Sequence, residues 1–234
     1  MDLLNHLKKL IPDNIFFFLK KRSIFKKKYF GLNNLDEKVS KYLNYNNGFF
    51  VELGANDGIS QSNTLHFERY KEWKGILIEP IKHKYEQCLN IRSKDNKFYN
   101  FACVSNEFTE NNIKILYSNL RSITLDEKNL ISPNKHINHD DLNIYQKHEE
   151  LTVKVRTLEA IFDNAKAPKL MDFLSLDTEG YEVEILKGNN FTKYNFRYIL
   201  IETKNINIIS SFLLKRKYIL LEKFTNHDYL FKKE

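Results

Sequence analysis

The chain has 234 residues and a net charge of +7, with 42% hydrophobic residues, 14% aromatic residues, 7 Gly and 4 Pro. This composition excludes a disordered tail and a fibrous repeat, and the length predicts one globular α/β domain with an appended segment or two very small domains. Two cysteines without CxxC or CxxH spacing give neither a disulfide framework nor a cysteine-based zinc motif, which favours a reducing compartment. Because no apolar run approaches the ~20 residues that cross a bilayer, we expect a cytoplasmic protein.

Most of the charge lies at the start of the chain, where ten Lys or Arg stand against four Asp or Glu in the first 48 residues. The remainder is nearly neutral, which argues against a nucleic-acid partner because phosphate binding needs a concentrated basic face. Leucines at helical spacing and then aromatic residues predict a basic, aromatic-rich helical extension over residues 1–45. This extension either caps the main domain or makes a peripheral contact with anionic lipid or a partner.

From residue 46 onward, short apolar runs alternate with longer polar stretches, the pattern of buried strands joined by crossover helices. The predicted strands are Phe49–Leu53, Gly75–Ile78, Phe98–Val104, Met171–Leu176, Tyr198–Ile201, Tyr218–Leu221 and Tyr229–Phe231. For residues 46–234 we therefore predict an α/β, Rossmann-like, doubly wound and mostly parallel seven-stranded sheet. The short connection Thr225–His227 predicts a C-terminal hairpin, hence an antiparallel strand at the sheet edge.

The segment 106–150 is polar, rich in Asn, Lys and His, and has no clear period. Because long structureless loops are uncommon in compact domains, we expect it to contain a short strand or helix and to act as a lid or substrate wall. Its histidines match no zinc spacing and are interpreted as solvated; they are His136, His139 and His148.

The strongest local signal is the turn Gly54–Gly58, which follows the first strand and its acid, Glu52. Ligand sites in open α/β sheets lie at the carboxyl ends of strands, so a ligand is expected here. The dinucleotide-binding fingerprint GxGxxG needs a third glycine, but Ile59 follows Gly58. The phosphate-binding loop sequence Gly-Lys-Ser/Thr is also absent. Glu52 suits a cationic ligand group, and Glu79, after the second strand, suits the two hydroxyls of a ribose. Sugar and positive charge together suggest S-adenosylmethionine.

Six motifs then follow one another along the chain. They are VELGANDGISQSNT (51–64), WKGILIEP (73–80), FACVS (101–105), VKVRTLEAIF (153–162), DFLSLDTEGYEVEILKG (172–188) and YILIE (198–202). In this combination the chain resembles the FkbM-type class I S-adenosylmethionine-dependent methyltransferases. Asn56 replaces the middle glycine of the broader ExGxGxG pattern, which is ordinary for this family. The resemblance spans roughly residues 48–234 and leaves the methyl acceptor open.

Carried over by position, the resemblance implies a set of cofactor contacts. Those after the first strand are Glu52, Gly54, Asn56, Asp57, Gly58, Ser62 and Asn63. Glu79 would hold the ribose hydroxyls, and Pro80, Ala102 and Cys103 would flank the adenine. Without the resemblance, Ala102 and Cys103 would be interpreted as simple core residues.

A second acidic group follows the strand Met171–Leu176, which delivers Asp177 and Glu179 to the same sheet edge. Transfer to a hydroxyl needs a general base or a metal, because the hydroxyl pKa is far above 7. Asp177, Glu179 and His227 are the candidate bases. Resemblance to metal-dependent O-methyltransferases implies instead that Asp177 and Glu202 bind Mg²⁺ or Mn²⁺.

The resemblance and the Lys-, Asn-, Ile- and Phe-rich composition favour methylation of a sugar or nucleotide-linked sugar in bacterial capsule or lipopolysaccharide synthesis. Lys114, Arg121 and Lys128 would then be available for diphosphate contacts. The alternatives are another small-molecule hydroxyl such as that of a polyketide, a nucleic-acid methyltransferase, and a non-catalytic peripheral binding module. The sequence leaves the oligomeric state open.

Overall fold

The computed structural model describes residues 27–118, 122–130 and 149–234, and its larger sheet has seven strands. In spatial order they are β10 (Tyr218–Lys223), β11 (Asp228–Lys233), β9 (Asn195–Glu202), β8 (Leu170–Leu176), β1 (Phe49–Leu53), β2 (Lys74–Ile78) and β3 (Lys97–Tyr99). Neighbours from β9 to β3 run parallel, whereas β11 is antiparallel to both β9 and β10. The predicted mostly parallel sheet is confirmed. The antiparallel strand predicted for the sheet edge is β11, which lies one position inside it, because β10 forms the edge.

One helix precedes β1, and further helices lie in the connections between strands. They are α1 (Leu35–Ser40), α2 (Leu65–Lys71), α3 (Lys82–Ile91), α4 (Leu158–Ala165), α5 (Glu182–Lys187) and α6 (Ile206–Leu214). In α4, the Thr157 Oγ1 accepts a hydrogen bond from the Ala160 amide at 3.2 Å, a normal N-cap, while Leu158, Ile161 and Phe162 are buried on one side. The buried side of α4 packs in the core and so holds this helix in place beside the strands.

A second sheet covers the cleft end of the first. Its strands, in order, are β4 (Ala102–Cys103), β7 (Glu149–Arg156), β5 (Asn112–Tyr117) and β6 (Ile123–Thr124). The single strand predicted over residues 98–104 is therefore wrong, because β3 and β4 belong to different sheets. The chain leaves the large sheet at Asn100, whose Nδ2 donates to the carbonyl oxygens of Glu79 and Pro80 at 2.8 and 2.9 Å. The segment 106–150 contains β5 and β6, although His136, His139 and His148 lie outside the described residues.

The described part of the N-terminal extension packs on the main domain. A short 3-10 helix, Leu32–Asn34, leads into α1, and Val39 and Leu43 enter a core cluster with Trp73. Residues 1–26, which carry most of the predicted helical extension, are not among the described residues. Within the described ranges, the helices are too short or too polar to span a membrane.

Candidate functional site

A cleft opens at the carboxyl ends of β1, β2 and β8. The strand register places Leu53 beside both Ile78 and Leu176, so the three following loops meet at one sheet edge. The second sheet forms the opposite wall through Ile115 and Thr124. Including its open mouth, the cleft encloses about 910 Å³ that no protein atom fills.

The turn after β1 lines the cleft with the backbone of Gly54 and with Asn56. Gly54 has a φ of 77°, and a Cβ there would lie 2.5 Å from the carbonyl oxygen of Asp177, so the close approach of these loops requires glycine. Asn56 also has a left-handed backbone, with a φ of 47°. Its Oδ1 is buried and has no hydrogen-bond partner among the described residues. Such an orphaned acceptor suits a ligand that donates hydrogen bonds.

Glu79 lies at the base of the same cleft. Its Oε2 accepts a hydrogen bond from the Asn56 amide and its Oε1 one from the Ile81 amide, both at 2.8 Å. Burial raises the pKa of this carboxyl to about 7, although these two amides and Lys84 favour the ionised form. Each oxygen keeps lone-pair capacity towards the cleft. Glu79 therefore lines the cleft in a fixed orientation.

The proposed adenine side is also part of the cleft. Pro80, Ala102 and Cys103 all line it, together with Phe101. Burial raises the pKa of the Cys103 thiol, which keeps this side chain neutral and apolar. The guanidinium of Arg156 lies 4.8 Å from the centre of the Phe101 ring on which it stacks. Sequence reasoning did not identify Phe101, although it stands at the start of FACVS.

The structure does not bring Glu52 to the cleft, contrary to the prediction. This carboxylate is 3% exposed and pairs with the buried Arg92 at 3.0 Å. It also accepts hydrogen bonds from the Ser62 and Thr64 hydroxyls and from the Asn63 amide, at 2.7–3.1 Å. The cationic partner expected for this acid is therefore supplied by the chain itself. Glu52 thus holds the loop after β1 in place.

Three more of the predicted contacts shape this loop without lining the cleft. The Asp57 Oδ1 accepts the amides of Ile59 and Ser60 at 3.0 and 2.7 Å, which closes the turn. Gly58, with a φ of 80°, lies against α3, where a Cβ would meet Arg92 and Cys88 at 3.0–3.2 Å. Ser62 belongs to the Glu52 network.

The predicted catalytic acids Asp177 and Glu179 both line the cleft. Glu182, at the start of α5, holds their loop in place, because its Oε1 accepts the Gly180 amide at 2.8 Å and the Thr178 hydroxyl at 3.1 Å. Glu179 has a left-handed backbone with a φ of 53°. A loop held in this way can present a carboxylate at a fixed position.

Asp177 belongs to a group of carboxyls. Burial and the charges of Glu202, Glu179, Glu182 and Asp228 raise its pKa well above the ordinary value. Burial and the Asp228 charge also raise the pKa of Glu202, which shares a hydrogen bond with Asp177.

The predicted metal pair, Asp177 and Glu202, is therefore close together, but it does not form a metal site with the rest of the described chain. In residues 27–118, 122–130 and 149–234, no group of three or more His, Cys, Asp or Glu could hold a metal ion. Two carboxyls that share a hydrogen bond do not fit a resident cation. The third candidate base, His227, is exposed in the β10–β11 turn and does not line the cleft.

The lysines suggested for diphosphate binding have acidic partners. Lys114 pairs with Glu150 at 2.7 Å, and Lys128 lies 3.7 Å from Glu107. Neither lines the cleft, and Arg121 lies outside the described residues. These contacts give no support to a diphosphate site.

The sheet topology and the acid-lined cleft with its glycine turn are those of S-adenosylmethionine-dependent methyltransferases. A family model for the methyltransferase FkbM domain matches residues 52–230, more than half of the chain. The chain belongs to this family.

Two solved structures match most of the chain at low similarity. A candidate RNA methyltransferase from Pyrococcus horikoshii is 9% identical, with a TM-score of 0.43 over 86% of this chain and 82% of that one. The fibrillarin/Nop5p complex gives 10% identity and a TM-score of 0.41 over 79% and 71%. Likenesses this distant carry no argument about substrate. Among curated proteins, no match was found.

Proposed function

We propose that the protein transfers a methyl group from S-adenosylmethionine to a hydroxyl of a sugar or nucleotide-linked sugar used in bacterial surface polysaccharide synthesis. The observation that carries this proposal is the arrangement of the cleft. Asn56 follows β1, with its Oδ1 unpaired, Glu79 and Asp177 follow the neighbouring strands β2 and β8, and all three residues line the same cleft. Binding and proton-accepting groups thus share one cleft.

The part of the cleft around Glu79 fits an adenosine. Glu79 would hold the ribose hydroxyls, and the wall of Pro80, Phe101, Ala102 and Cys103 would flank the base. Asn56 would accept a hydrogen bond from the cofactor through its Oδ1. When bound, S-adenosylmethionine supplies a methyl group activated by a sulfonium.

Asp177 and Glu179 are carboxyl groups in the cleft that could remove the acceptor's proton. A carboxylate whose pKa lies above the usual range takes a proton from a hydroxyl more readily than an exposed aspartate does. Asp177 is therefore the favoured base, with Glu179 on the same loop as the second candidate. His227 is disfavoured because it lies outside the cleft.

Hydrogen-bonding side chains favour a polyhydroxylated acceptor. The cleft is also lined by side chains that offer both donors and acceptors, namely Gln61, Ser122, Thr124 and Thr178. A hydroxyl on another kind of small molecule is the second candidate. A nucleic-acid substrate is disfavoured by the nearly neutral chain after residue 48 and by the acidic groups that face Lys114 and Lys128.

The proposal is tested in two steps. Calorimetry with S-adenosylhomocysteine should show saturable binding, and labelled methyl transfer to a panel of sugars and sugar nucleotides should identify an acceptor. Binding without transfer to any sugar, but with transfer to another hydroxyl compound, would refute the sugar assignment. Tight, salt-sensitive binding of an oligonucleotide would favour the nucleic-acid class. Activity that disappears with EDTA and returns with Mg²⁺ or Mn²⁺ would restore the metal hypothesis.

A further inference from the structure

An open hollow lies between the N-terminal segment and the β10–β11 turn. Asn33 and Lys38 line it from the N-terminal segment, and residues 223–226 line it from the turn. Among these described lining residues two are lysines, Lys38 and Lys223, and none is acidic. The hollow is therefore a positively charged surface, whereas the lining of the cleft includes three carboxyl groups.

Both ammonium groups lie against aromatic rings. The Lys38 Nζ donates a hydrogen bond to the carbonyl oxygen of Phe224 at 3.4 Å and lies 5.7 Å from the centre of its ring. The Lys223 Nζ lies 5.8 Å from the centre of the Tyr229 ring. In the part of the chain that the structure describes, neither lysine forms an ion pair with a carboxylate. Because an ammonium has three donors, both lysines can still bind an anion.

The turn that carries Lys223 is closed by its own side chains. The Thr225 Oγ1 accepts the amides of His227 and Asp228, both at 3.1 Å, and its hydroxyl donates to the Asp228 carboxylate. These contacts hold the turn in one conformation. A charged group on such a turn loses less freedom on binding than one on a loose loop.

The strand register places this turn at the same sheet edge as the cleft. Glu202, the last residue of β9, pairs with Asp228, the first of β11, so the β10–β11 turn lies at the carboxyl end of β9. Asp177 follows β8, the parallel neighbour of β9, at the same edge. Two strand spacings, about 10 Å, separate β8 from β11. An acceptor that reaches from Asp177 to the hollow must therefore extend beyond one sugar ring.

We propose that the hollow binds the diphosphate of the acceptor, so that the methylated molecule is a nucleotide-linked sugar and not a free sugar. The inference deepens the proposed function and rests on it. A lysine ammonium attracts phosphate as a point charge, and the two lysines match a group with two phosphates. The amide side chains of Asn33 and Asn226 add neutral donors for the phosphate oxygens.

The first test compares acceptors that carry the same sugar. Methyl transfer by the full chain is assayed with the sugar nucleotide, the free sugar and a glycoside in which a carboxylate is the only charge. The sugar nucleotide should give a kcat/KM about tenfold or more above the other two, the size expected for hydrogen bonds to a charged group.

Variants then assign this preference to the hollow. Lys38→Gln and Lys223→Gln should each raise the KM for the sugar nucleotide about threefold, and the double variant about tenfold, because both lysines are partly exposed. The kcat should stay close to that of the parent, since these contacts lie away from the reacting atoms. The matched control is Lys41→Gln, which changes an exposed lysine directly after α1 and should behave like the parent.

The second test does not depend on activity. Sodium pyrophosphate should raise the Tm of the parent protein more than sodium chloride at equal ionic strength. The difference between the two salts should disappear in the double variant and persist in Lys41→Gln. Because the basic residues 1–26 are identical in all three proteins, a loss confined to the double variant assigns the binding to the hollow.

The outcomes separate the two proposals. If no sugar is methylated in any form, the proposed function fails, and the pyrophosphate comparison still decides whether the hollow binds phosphate. If sugars are methylated but the free sugar or the carboxylate glycoside serves as well as the sugar nucleotide, the inference is overturned. A double variant with the KM and the pyrophosphate response of Lys41→Gln overturns it as well.

Discussion

The Oε2 of Glu79 accepts a hydrogen bond from the backbone amide of Asn56 at 2.8 Å. This contact joins the loop after β2 to the loop after β1 and holds both against the cleft. It also orients the Glu79 carboxylate, because the Ile81 amide fixes the other oxygen at the same distance. A carboxylate held from both sides loses little conformational freedom when it binds a ligand.

Replacement of Glu79 should therefore weaken cofactor binding. In Glu79→Ala the charge-assisted hydrogen bonds to the ribose are lost, and we expect the affinity for S-adenosylhomocysteine to fall about tenfold or more, or about 1.5–3 kcal/mol. Calorimetry measures the change. The matched control is Glu86→Ala, which removes an exposed glutamate from α3 and should bind like the parent protein. Equal affinities in Glu79→Ala and the parent would refute the ribose assignment.

The raised pKa of Glu79 predicts that cofactor affinity depends on pH. Because the pKa is about 7 in the free protein, the carboxyl is ionised above that pH and becomes neutral as the pH falls below it. Affinity for S-adenosylhomocysteine should decline by at most about tenfold per pH unit below 7, since the neutral form is the poorer acceptor. In Glu79→Gln the remaining affinity should not follow this curve. A parent profile that is flat through pH 7 would contradict the prediction.

The same burial affects stability in the opposite direction. The folded-state pKa of Glu79 lies above its ordinary value of 4.5, so the folded protein holds this proton more tightly than the unfolded chain. Its contribution to stability is full below the unfolded pKa and is lost as the pH rises through about 7. Glu79→Gln should flatten this part of the profile of unfolding free energy against pH. Cofactor binding and stability thus make opposite demands on Glu79.

The contrast between Glu79 and Glu52 shows which part of the site could be predicted from the sequence. In the sequence both are carboxylates at predicted strand ends. The register pairs Glu52 with Leu77, so Gly54 is the position on β1 that corresponds to Glu79. Asp177 occupies that position after β8. Gly54, Glu79 and Asp177 directly follow the last paired residues of their strands and line the cleft. Glu52 precedes the last paired residue of β1, and its carboxylate contacts Arg92. Apolar patterning identified the strands, but it did not give their register to one residue.

Tertiary contacts account for the other differences. The sequence showed the run Phe98–Val104 as one strand because nothing in its composition marks Asn100 as the point where the chain changes sheets. Asp228 was missed for a related reason, since only the pairing of β11 with β9 brings it beside Glu202. The hairpin itself could be predicted from local turn residues.

Asp177→Asn should separate chemistry from binding. Asparagine has nearly the same shape but cannot take a proton from the acceptor, so turnover should fall by about 10²–10⁴-fold. Affinity for S-adenosylhomocysteine should remain close to that of the parent, because Glu79 and Asn56 are unchanged. Single-turnover assays and calorimetry on the same preparations give the two quantities. A fully active variant would remove Asp177 from the mechanism, and Glu179→Gln would then be the next variant to assay.

Arg92 should be essential for the stability of the loop after β1. Its guanidinium is buried between two carboxylates, 3.0 Å from Glu52 and 2.8 Å from Glu68. Arg92→Met leaves both negative charges without their cation, which should reduce the free energy of unfolding by about 3–5 kcal/mol. Urea denaturation measures the loss, and Lys94→Met, which changes an exposed lysine two residues away, should cost far less.

A double-mutant cycle tests whether Glu52 acts through this ion pair. If the function of Glu52 is to hold the loop with Arg92, Glu52→Gln should cost less stability in the Arg92→Met background than in the parent, because the buried charge is already unpaired there. Additive losses would contradict a shared network. A loss of cofactor affinity in Glu52→Gln at undiminished stability would instead restore the direct ligand contact predicted from the sequence.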